Sequence, residues 1–356
     1  MDNYRLKMFR EQLNQNGIDG ALVFSDVNRN YLTGFTGDDS YIVVTAKESI
    51  FITDSRYTEQ ARNEVSGFEV RQFSGGVFDY IKDLVKTLDI KNLGFEENFM
   101  TYSTYKELSD NLQGVSFVKL EGIIGKQREI KDKIEIANIE RAASIADDGF
   151  SHILKFIKPG MTELSIGMEL EFFMRSKGAS GLSFPSIVAS GKRSSLPHGT
   201  ATGKIVEKGD FLTLDFGCVY NGYCSDITRT IVIGNASEKQ KELYKIVLEA
   251  NKEALKHVEP GITGEKLDLV ARGIIEKNGF GEYFGHGLGH GVGMEVHERP
   301  YISKRGKDPL AAGMVLTDEP GIYIPGFGGV RVEDLVLVTD NGCSVLSKSN
   351  KELIEL

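Results

Sequence analysis

Hydrophobic and polar positions follow two different periods along the chain, and the switch between them marks out its elements. Over the first ~120 residues, short apolar runs (Ala21 to Ser25, Tyr41 to Thr45, Ile50 to Thr53, Ser116 to Leu120) alternate with stretches of helical period (Tyr4 to Gln15, Val77 to Leu88, Tyr102 to Leu112). Strands interleaved with helices in this way predict an α/β domain. Around Lys119 to Lys133 the pattern becomes a charged stretch that opens a long helix, Asp132 to Phe156, stopped at Lys158-Pro159-Gly160. The boundary is expected near residue 125, giving domains 1–125 and 126–356, which suits 356 residues at roughly 150 per domain.

Beyond that boundary the chain repeats itself. Residues 154 to 178 (LKFIKPGMTELSIGMELEFFMRSKG) and 255 to 279 (LKHVEPGITGEKLDLVARGIIEKNG) share Leu, Lys, Pro-Gly, Thr and a terminal Gly at a constant offset of 101. Each reads as a helix end, a Pro-Gly break and a second helix. Further on, 209 to 217 (GDFLTLDFG) matches 313 to 321 (GMVLTDEPG) at an offset of 104, which sets Asp215 against Glu319. The second domain is expected to hold two copies of one helix-helix-strand-hairpin unit, each strand closing on an acid.

Asn221-Gly222, between the apolar runs 211–220 and 223–233, is a strong signal for a two-residue type I′ hairpin. With Tyr220 opposite Tyr223, Asp226 falls opposite Gly217, on the same face as Asp215. The two aspartates are then diagonal neighbours, roughly 7 Å apart between Cβ atoms. In the second copy, Glu319 is followed by Pro320-Gly321 and a glycine-rich turn, and the chain returns as Val330-Arg331-Val332-Glu333-Asp334. Alternation puts Arg331 and Glu333 on one face, so Glu319 and Glu333 are expected to repeat the Asp215–Asp226 pairing. Four carboxylates in one cavity repel strongly, and two divalent cations would relieve the repulsion. The plain alternative is a solvated hairpin face.

Composition narrows the partners. Lys plus Arg is 42 against 51 Asp plus Glu, a net charge of −9, which is the wrong sign for a binder of nucleic-acid backbone. No apolar run approaches the ~18 residues of a membrane span, and the start, Met1 to Gln15, is charged and amphipathic rather than signal-like. Three cysteines, Cys218, Cys224 and Cys343, form no C-x-x-C; Cys218 and Cys224 take opposite hairpin faces, so no disulfide is expected and the location is read as cytoplasmic. No G-x-G-x-x-G follows the first strand, and no G-x-S-x-G lies near the hairpins. Glycine is in excess, 40 residues, densest from Gly279 to Gly293 and from Gly321 to Gly329 beside histidines and carboxylates. Four histidines fall there or near the hairpins: His198, His286, His290 and His297; His152 and His257 lie in helical patterns and read as structural. Glycines at 285, 287, 289, 291 and 293 argue against a helix, so His286 and His290 lie on extended chain about 13 Å apart, and at most one reaches a given metal pair.

Asp215 and Asp226 eleven apart, Gly287-Leu-Gly-His290-Gly-Val-Gly with His297-Glu298, Glu319-Pro-Gly-Ile-Tyr and Gly329-Val-Arg331-Val-Glu333-Asp together resemble the pita-bread metallopeptidases: methionine aminopeptidases, prolidases and aminopeptidases P. Asn30-Tyr31-Leu-Thr-Gly-Phe-Thr-Gly37 and Phe51-Ile-Thr-Asp54-Ser-Arg56-Tyr are similar to the creatinase-type domain that precedes the catalytic domain in prolidases and aminopeptidases P. The resemblance implies an α/β creatinase-type N-terminal domain and an α+β pita-bread C-terminal domain with an internal pseudo-two-fold duplication. It further implies two divalent metal ions per subunit: Asp215 on one, His290 and Glu319 on the other, Asp226 and Glu333 bridging. Mostly oxygen donors with one imidazole suit Mn²⁺, and also Co²⁺ or Zn²⁺. A hydroxide shared by the metals would be the nucleophile, Glu319 the general base and proton shuttle, His297 the group steadying the scissile peptide, and His198 a substrate contact that assists the departing amine. His286 is placed in the substrate pocket. Arg331 is left with three roles: orienting Glu333, meeting a substrate carboxylate, or an ordinary salt bridge.

By this resemblance the substrate is a peptide with proline in second place. The chain is read as an Xaa-Pro dipeptidase (prolidase), with an aminopeptidase P on longer Xaa-Pro peptides as the alternative; the short stretch between Glu333 and Leu356 leans toward the compact prolidases. A homodimer is implied. Creatinase-like metal-free C–N hydrolysis and a catalytically dead peptide-binding module are less favoured, because all five ligand positions are filled. Asp318 departs from the family pattern, which has an apolar residue there, and on a strand it should point away from Glu319.

Overall fold

A computed structural model describes residues 4–356; Met1 to Asn3 of the charged start lie outside the described residues. The chain divides into two compact units, one up to Arg128 and one from Glu129 to Leu356. In the first unit six strands form one mixed sheet in the order Glu69–Gln72, Ser49–Thr53, Tyr41–Thr45, Gly20–Val23, Asn92–Phe95, Ser116–Lys119. Its core is built on Leu22, Val43, Ile50, Ile52, Ile81, Leu84 and Leu93, with Phe95 and partly buried aromatics packed against them. Helices Tyr4–Gln15, Val77–Thr87 and Tyr102–Asn111 stand where periodicity put them.

Two further helices, Asp26–Thr33 and Thr58–Glu64, were not announced by periodicity. The first buries polar residues, Asn28, Arg29 and Thr33, which no apolar count detects. Asn28 and the chain before it are held from far away in sequence, Glu96 accepting from the amides of Phe24 and Ser25 and from Asn28 Nδ2, while Arg29 donates to the Ser40 carbonyl and the Thr33 hydroxyl to the Arg29 carbonyl.

The second unit carries the duplication. Helix Lys133–Phe156 begins with a capping box: Asp132 accepts from the amides of Ile134 and Glu135, and Glu135 reaches back to the Asp132 amide. Helices Glu163–Ser176 and Gly264–Lys277 are capped by Thr162 and Thr263, which stand at the offset of 101. Each half has its own core. Ile145, Phe150, Leu170, Leu212, Leu214 and Phe216 belong to the first, and Leu243, Val247, Leu267, Ile275, Leu316 and Val336 to the second.

The first hairpin turns as expected at Asn221 and Gly222, both at positive φ (47° and 81°), with Tyr220 opposite Tyr223. Its register continues to Ile227↔Phe216 and Thr228↔Asp215. The second hairpin departs from the expectation that it copies the first. Both hairpins are in two pieces: Cys218–Tyr220 and Tyr223–Cys224 lie in a different sheet from Phe211–Phe216 and Ile227–Val232, just as Gly321–Ile324 and Gly328–Arg331 are separate from Val315–Asp318 and Asp334–Thr339. The difference is in register, which in the second runs through Asp318↔Asp334 and Gly321↔Arg331. Glu319 thus faces Glu333 across the end of one ladder, whereas the residue facing Asp215 is Thr228. The reason is the longer turn between Ile324 and Gly328, which shifts the register of the second ladder relative to the first. The Glu333 amide also donates to the Thr228 carbonyl, and the Thr230 hydroxyl bonds the Arg331 backbone. Segment 331–333 therefore stitches the second half to the first. Removing the cap with Asp132→Ala is expected to cost about 1 kcal/mol and lower the melting temperature by roughly 2–4 °C in a thermal-denaturation experiment, with no change in the position of the site.

Candidate active site

All nine residues singled out in the sequence line one cavity of about 440 Å³: His198, Asp215, Asp226, His286, His290, His297, Glu319, Arg331 and Glu333. Asp215 ends strand Phe211–Phe216, and Asp226 sits between the two pieces of its hairpin return. His290 lies on strand Gly289–Gly291, which crosses so close to its neighbour that a Cβ at Gly289 would stand 2.1 Å from the Thr317 carbonyl oxygen. The His290 amide donates to Thr317 Oγ1, and its ring Nε2 points at Glu319 (3.4 Å) and Asp226 (3.7 Å). Ligand atoms of Asp226, His290 and Glu333 all lie within 4.8 Å of one another. His286, by contrast, contacts the Tyr323 hydroxyl through Nε2 at 2.8 Å and the Gly287 carbonyl through Nδ1. Of the two histidines only His290 reaches the carboxylates.

Arg331 does not orient Glu333. It donates to Asp215 Oδ2 (2.5 Å), the Tyr323 hydroxyl (2.7 Å), Thr228 Oγ1 and the Pro197 carbonyl. Glu333 is held instead by the Thr228 hydroxyl at 2.6 Å. Alternation did put Arg331 and Glu333 near each other, but the guanidinium is long enough to cross to the first hairpin. Thr228 and Tyr323 were passed over in the sequence. Tyr323 was visible as the last residue of Glu319-Pro-Gly-Ile-Tyr, and Thr228 as the residue facing Asp215. His297 is exposed, and the strand that follows it is tied down by the Lys131–Glu298 ion pair at 2.7 Å. Asp318 is buried, does not line the cavity, and accepts from Asn251 Nδ2. His152 pairs with Glu169 and stacks on Phe173, and His257 bonds the Glu253 carbonyl, so both are structural. Among the described residues all three cysteines are free, and Cys224 packs with Val292 and Leu335.

The charges in this cavity are out of balance. Burial, then repulsion from Glu333, Asp215 and Glu319, pushes Asp226 well above the ordinary carboxylate range. Burial with repulsion from Glu319 and Asp215 does the same to Glu333, and burial takes Glu319 up to about 8 against the pull of Arg331. Asp215 is raised by burial too, and its Oδ1 has no hydrogen-bond partner. His290 is pushed down to about 4 by burial and by His297, leaving a neutral imidazole with a free lone pair. Acids that resist ionisation, an unpartnered buried carboxylate oxygen and a neutral imidazole aimed at them are the donor set of a divalent cation site.

Residues 137–340 match the metallopeptidase family M24, and residues 5–130 the creatinase/prolidase N-terminal domain. This chain belongs to metallopeptidase family M24. The M24 peptidase is 42% identical over 354 residues to an Xaa-Pro dipeptidase of Pyrococcus horikoshii, spanning 99% of both. Among solved structures it superposes on an Xaa-Pro dipeptidase from Bacillus anthracis (47% identity, TM-score 0.97, 99% of each chain) and on an X-Pro aminopeptidase from Thermotoga maritima (41%, 0.91, covering 97% of this chain and 100% of that one). The creatinase-type domain followed by the pita-bread domain, expected from the sequence, is the architecture of this peptidase, and divalent metal use follows from its family.

The raised carboxyl groups make a prediction about the metal-free protein. They keep protons when folded that they release when unfolded, so stability falls as pH rises from the ordinary carboxylate range toward the folded values. His286 and His290, both lowered to about 4, act oppositely, but their contribution is complete once pH exceeds their unfolded value near 6.5. Between pH 7 and 8 the carboxylates alone should therefore lower the melting temperature of chelator-treated protein. Asp226→Asn should flatten that slope, and a melting temperature that rises over the window would contradict the assignment.

Proposed function

We propose that this M24 peptidase is an Xaa-Pro dipeptidase that hydrolyses the bond before proline with two divalent cations per subunit. Asp215 would hold one cation, His290 and Glu319 the other, and Asp226 and Glu333 would serve both; Mn²⁺ is the first candidate, and Co²⁺ or Zn²⁺ also suit the donors. When bound, such cations polarise the scissile carbonyl and lower the pKa of a water so that hydroxide exists at neutral pH. The observation that carries the reading is the convergence of all nine residues on one cavity in a chain so close to the Xaa-Pro dipeptidases.

The remaining chemistry falls to side chains. Glu319, beside His290 and open to the cavity, takes the proton of the attacking water and passes it to the departing nitrogen. His297 offers an N–H to the carbonyl oxygen as it gains charge, and His198 faces the same space to hold the leaving amine. Arg331 pairs with Asp215, opposing the rise that burial imposes on it, and steadies Tyr323, which in turn fixes the His286 ring. Phe184, Pro185, Ile187 and Pro197 give the cavity an apolar wall that fits a pyrrolidine ring, whose tertiary amide has no N–H to satisfy.

A dipeptide ends in a carboxylate, and the adjoining cavity, of about 490 Å³, suits it. That cavity shares His286, Gly287 and Ser303 with the first and is lined by Arg272, Lys304 and Arg305. Arg272 is committed to Asp268, while Lys304 and Arg305 are exposed and among the described residues have no ion pair. The Thermotoga maritima likeness keeps an aminopeptidase P as second reading. Among the described residues no helix is long and apolar enough to cross a membrane, and the three free thiols support a reducing, cytoplasmic setting. A homodimer is proposed, supported by Leu164, Met168 and Phe172, which are exposed at helical spacing on Glu163–Ser176.

Amine release from Ala-Pro and Ala-Pro-Ala, measured side by side on chelator-stripped protein before and after Mn²⁺ is restored, tests the reading. Metal-dependent cleavage of the dipeptide alone is expected. Cleavage of the tripeptide would make it an aminopeptidase P, and cleavage of neither with any divalent metal would reject both. Asp226→Asn and Glu333→Gln are each expected to abolish turnover and lower bound metal measured by elemental analysis; full turnover by either would overturn the bridging role.

A further inference from the structure

The segment that carries His286 and His290 has glycine at 285, 287, 289 and 291, so nothing in its own backbone makes it stiff. Its rigidity comes from helix Gly264–Lys277. Asp268 and Arg272 stand one turn apart there, joined by two parallel hydrogen bonds: Arg272 Nε to Asp268 Oδ2 at 2.8 Å and Nη2 to Oδ1 at 2.9 Å. Arg272 spends its other donors on the segment, Nη1 on the Phe284 carbonyl at 2.9 Å and Nη2 on the His286 carbonyl at 2.6 Å. Its guanidinium also lies 4.3 Å from the centre of the Phe284 ring. Asp268, almost fully buried, accepts the Leu288 amide at 2.9 Å, and the Leu288 carbonyl in turn accepts the Glu319 amide at 2.8 Å. Leu288 is therefore gripped from both sides, by the helix through Asp268 and by the backbone of Glu319, with His290 two residues further on.

We propose that Asp268 and Arg272 are positioning residues: they fix the glycine-rich segment and, through Leu288, the backbone of Glu319, and so set both cation affinity and substrate placement. Neither touches the reacting atoms. Without them, ordering of the loop would have to be met at each binding event, and the loss would appear in affinity rather than only in fold stability. The proposal rests on the reading that His290 and Glu319 hold a cation, and on that reading it adds the pair that holds them in place.

The test uses full-length, chelator-stripped protein titrated with Mn²⁺ by calorimetry, followed by kinetics on Ala-Pro at saturating Mn²⁺. Arg272→Met is expected to weaken Mn²⁺ binding about tenfold or more and to raise KM, as loss of a partner behind a metal ligand generally does. Arg272→Lys, which keeps the charge and folds more readily but cannot serve two carbonyls and a carboxylate together, should fall between Arg272→Met and the unaltered protein. Leu243→Ala truncates a buried residue of the same half on helix Glu238–Leu255; it should lower the melting temperature while leaving Mn²⁺ affinity and KM within about twofold. Arg272 variants that keep Mn²⁺ affinity and KM within twofold, or a Leu243→Ala variant that loses as much of both, overturn the positioning role. If the unaltered protein binds no Mn²⁺, the cation reading and this inference fall together.

Discussion

Four carboxylates share one cavity, three of them buried and Glu319 partly so, and one cation, Arg331, stands among them. Most of the site's architecture answers that imbalance. Arg331 is spent on Asp215, a hydroxyl rather than a charge supports Glu333, and burial holds His286 and His290 below the ordinary imidazole range. What remains of the negative charge must be met by protons or by divalent cations, because like charges this close and this dry cannot all ionise. The fold withstands the repulsion because backbone ladders that run up to the cavity, through Thr228↔Asp215 and Asp318↔Asp334, fix the strands that carry these residues.

The duplication explains where the acids come from but not how they meet. Each half packs its own core beneath its own helices, and each strand delivers an acid at its end. The site forms where the symmetry is broken. Segment 331–333 stays paired within its own hairpin and also bonds Thr228 and Thr230, and that seam carries Glu333 to the first hairpin and lets Arg331 reach Asp215. Two similar halves thus make unequal contributions: two aspartates and His198 from one, two glutamates and three histidines from the other.

Rigidity enters through residues that do no chemistry. Glycine permits the close crossing of Gly289–Gly291 over the strand Val315–Asp318, and the same glycines leave the segment without local stiffness. Side chains from elsewhere restore it: Arg272 and Asp268 behind His286, Lys131 behind Glu298, Tyr323 against the His286 ring. Local freedom and long-range restraint are two sides of one device.

Features governed by short-range chemistry were legible from the sequence. The Asn221-Gly222 turn fixes its register because only residues tolerant of positive φ form it, Asp132 and the paired threonines start helices through their own side chains, and the 101-residue offset needs nothing but counting. The nine residues of the cavity could be named for the same reason, since carboxylates at strand ends and histidines among glycines stand out locally. Tertiary structure alone decided which partner each took. Arg331 chose Asp215 over Glu333, and the second hairpin took a register that sets Glu319 opposite Glu333, while the turn of His290 rather than His286 toward the acids agrees with what the family resemblance had implied. The Arg331–Asp215 contact joins residues 116 positions apart, and its energy exists only once both halves are folded and the cavity has excluded water.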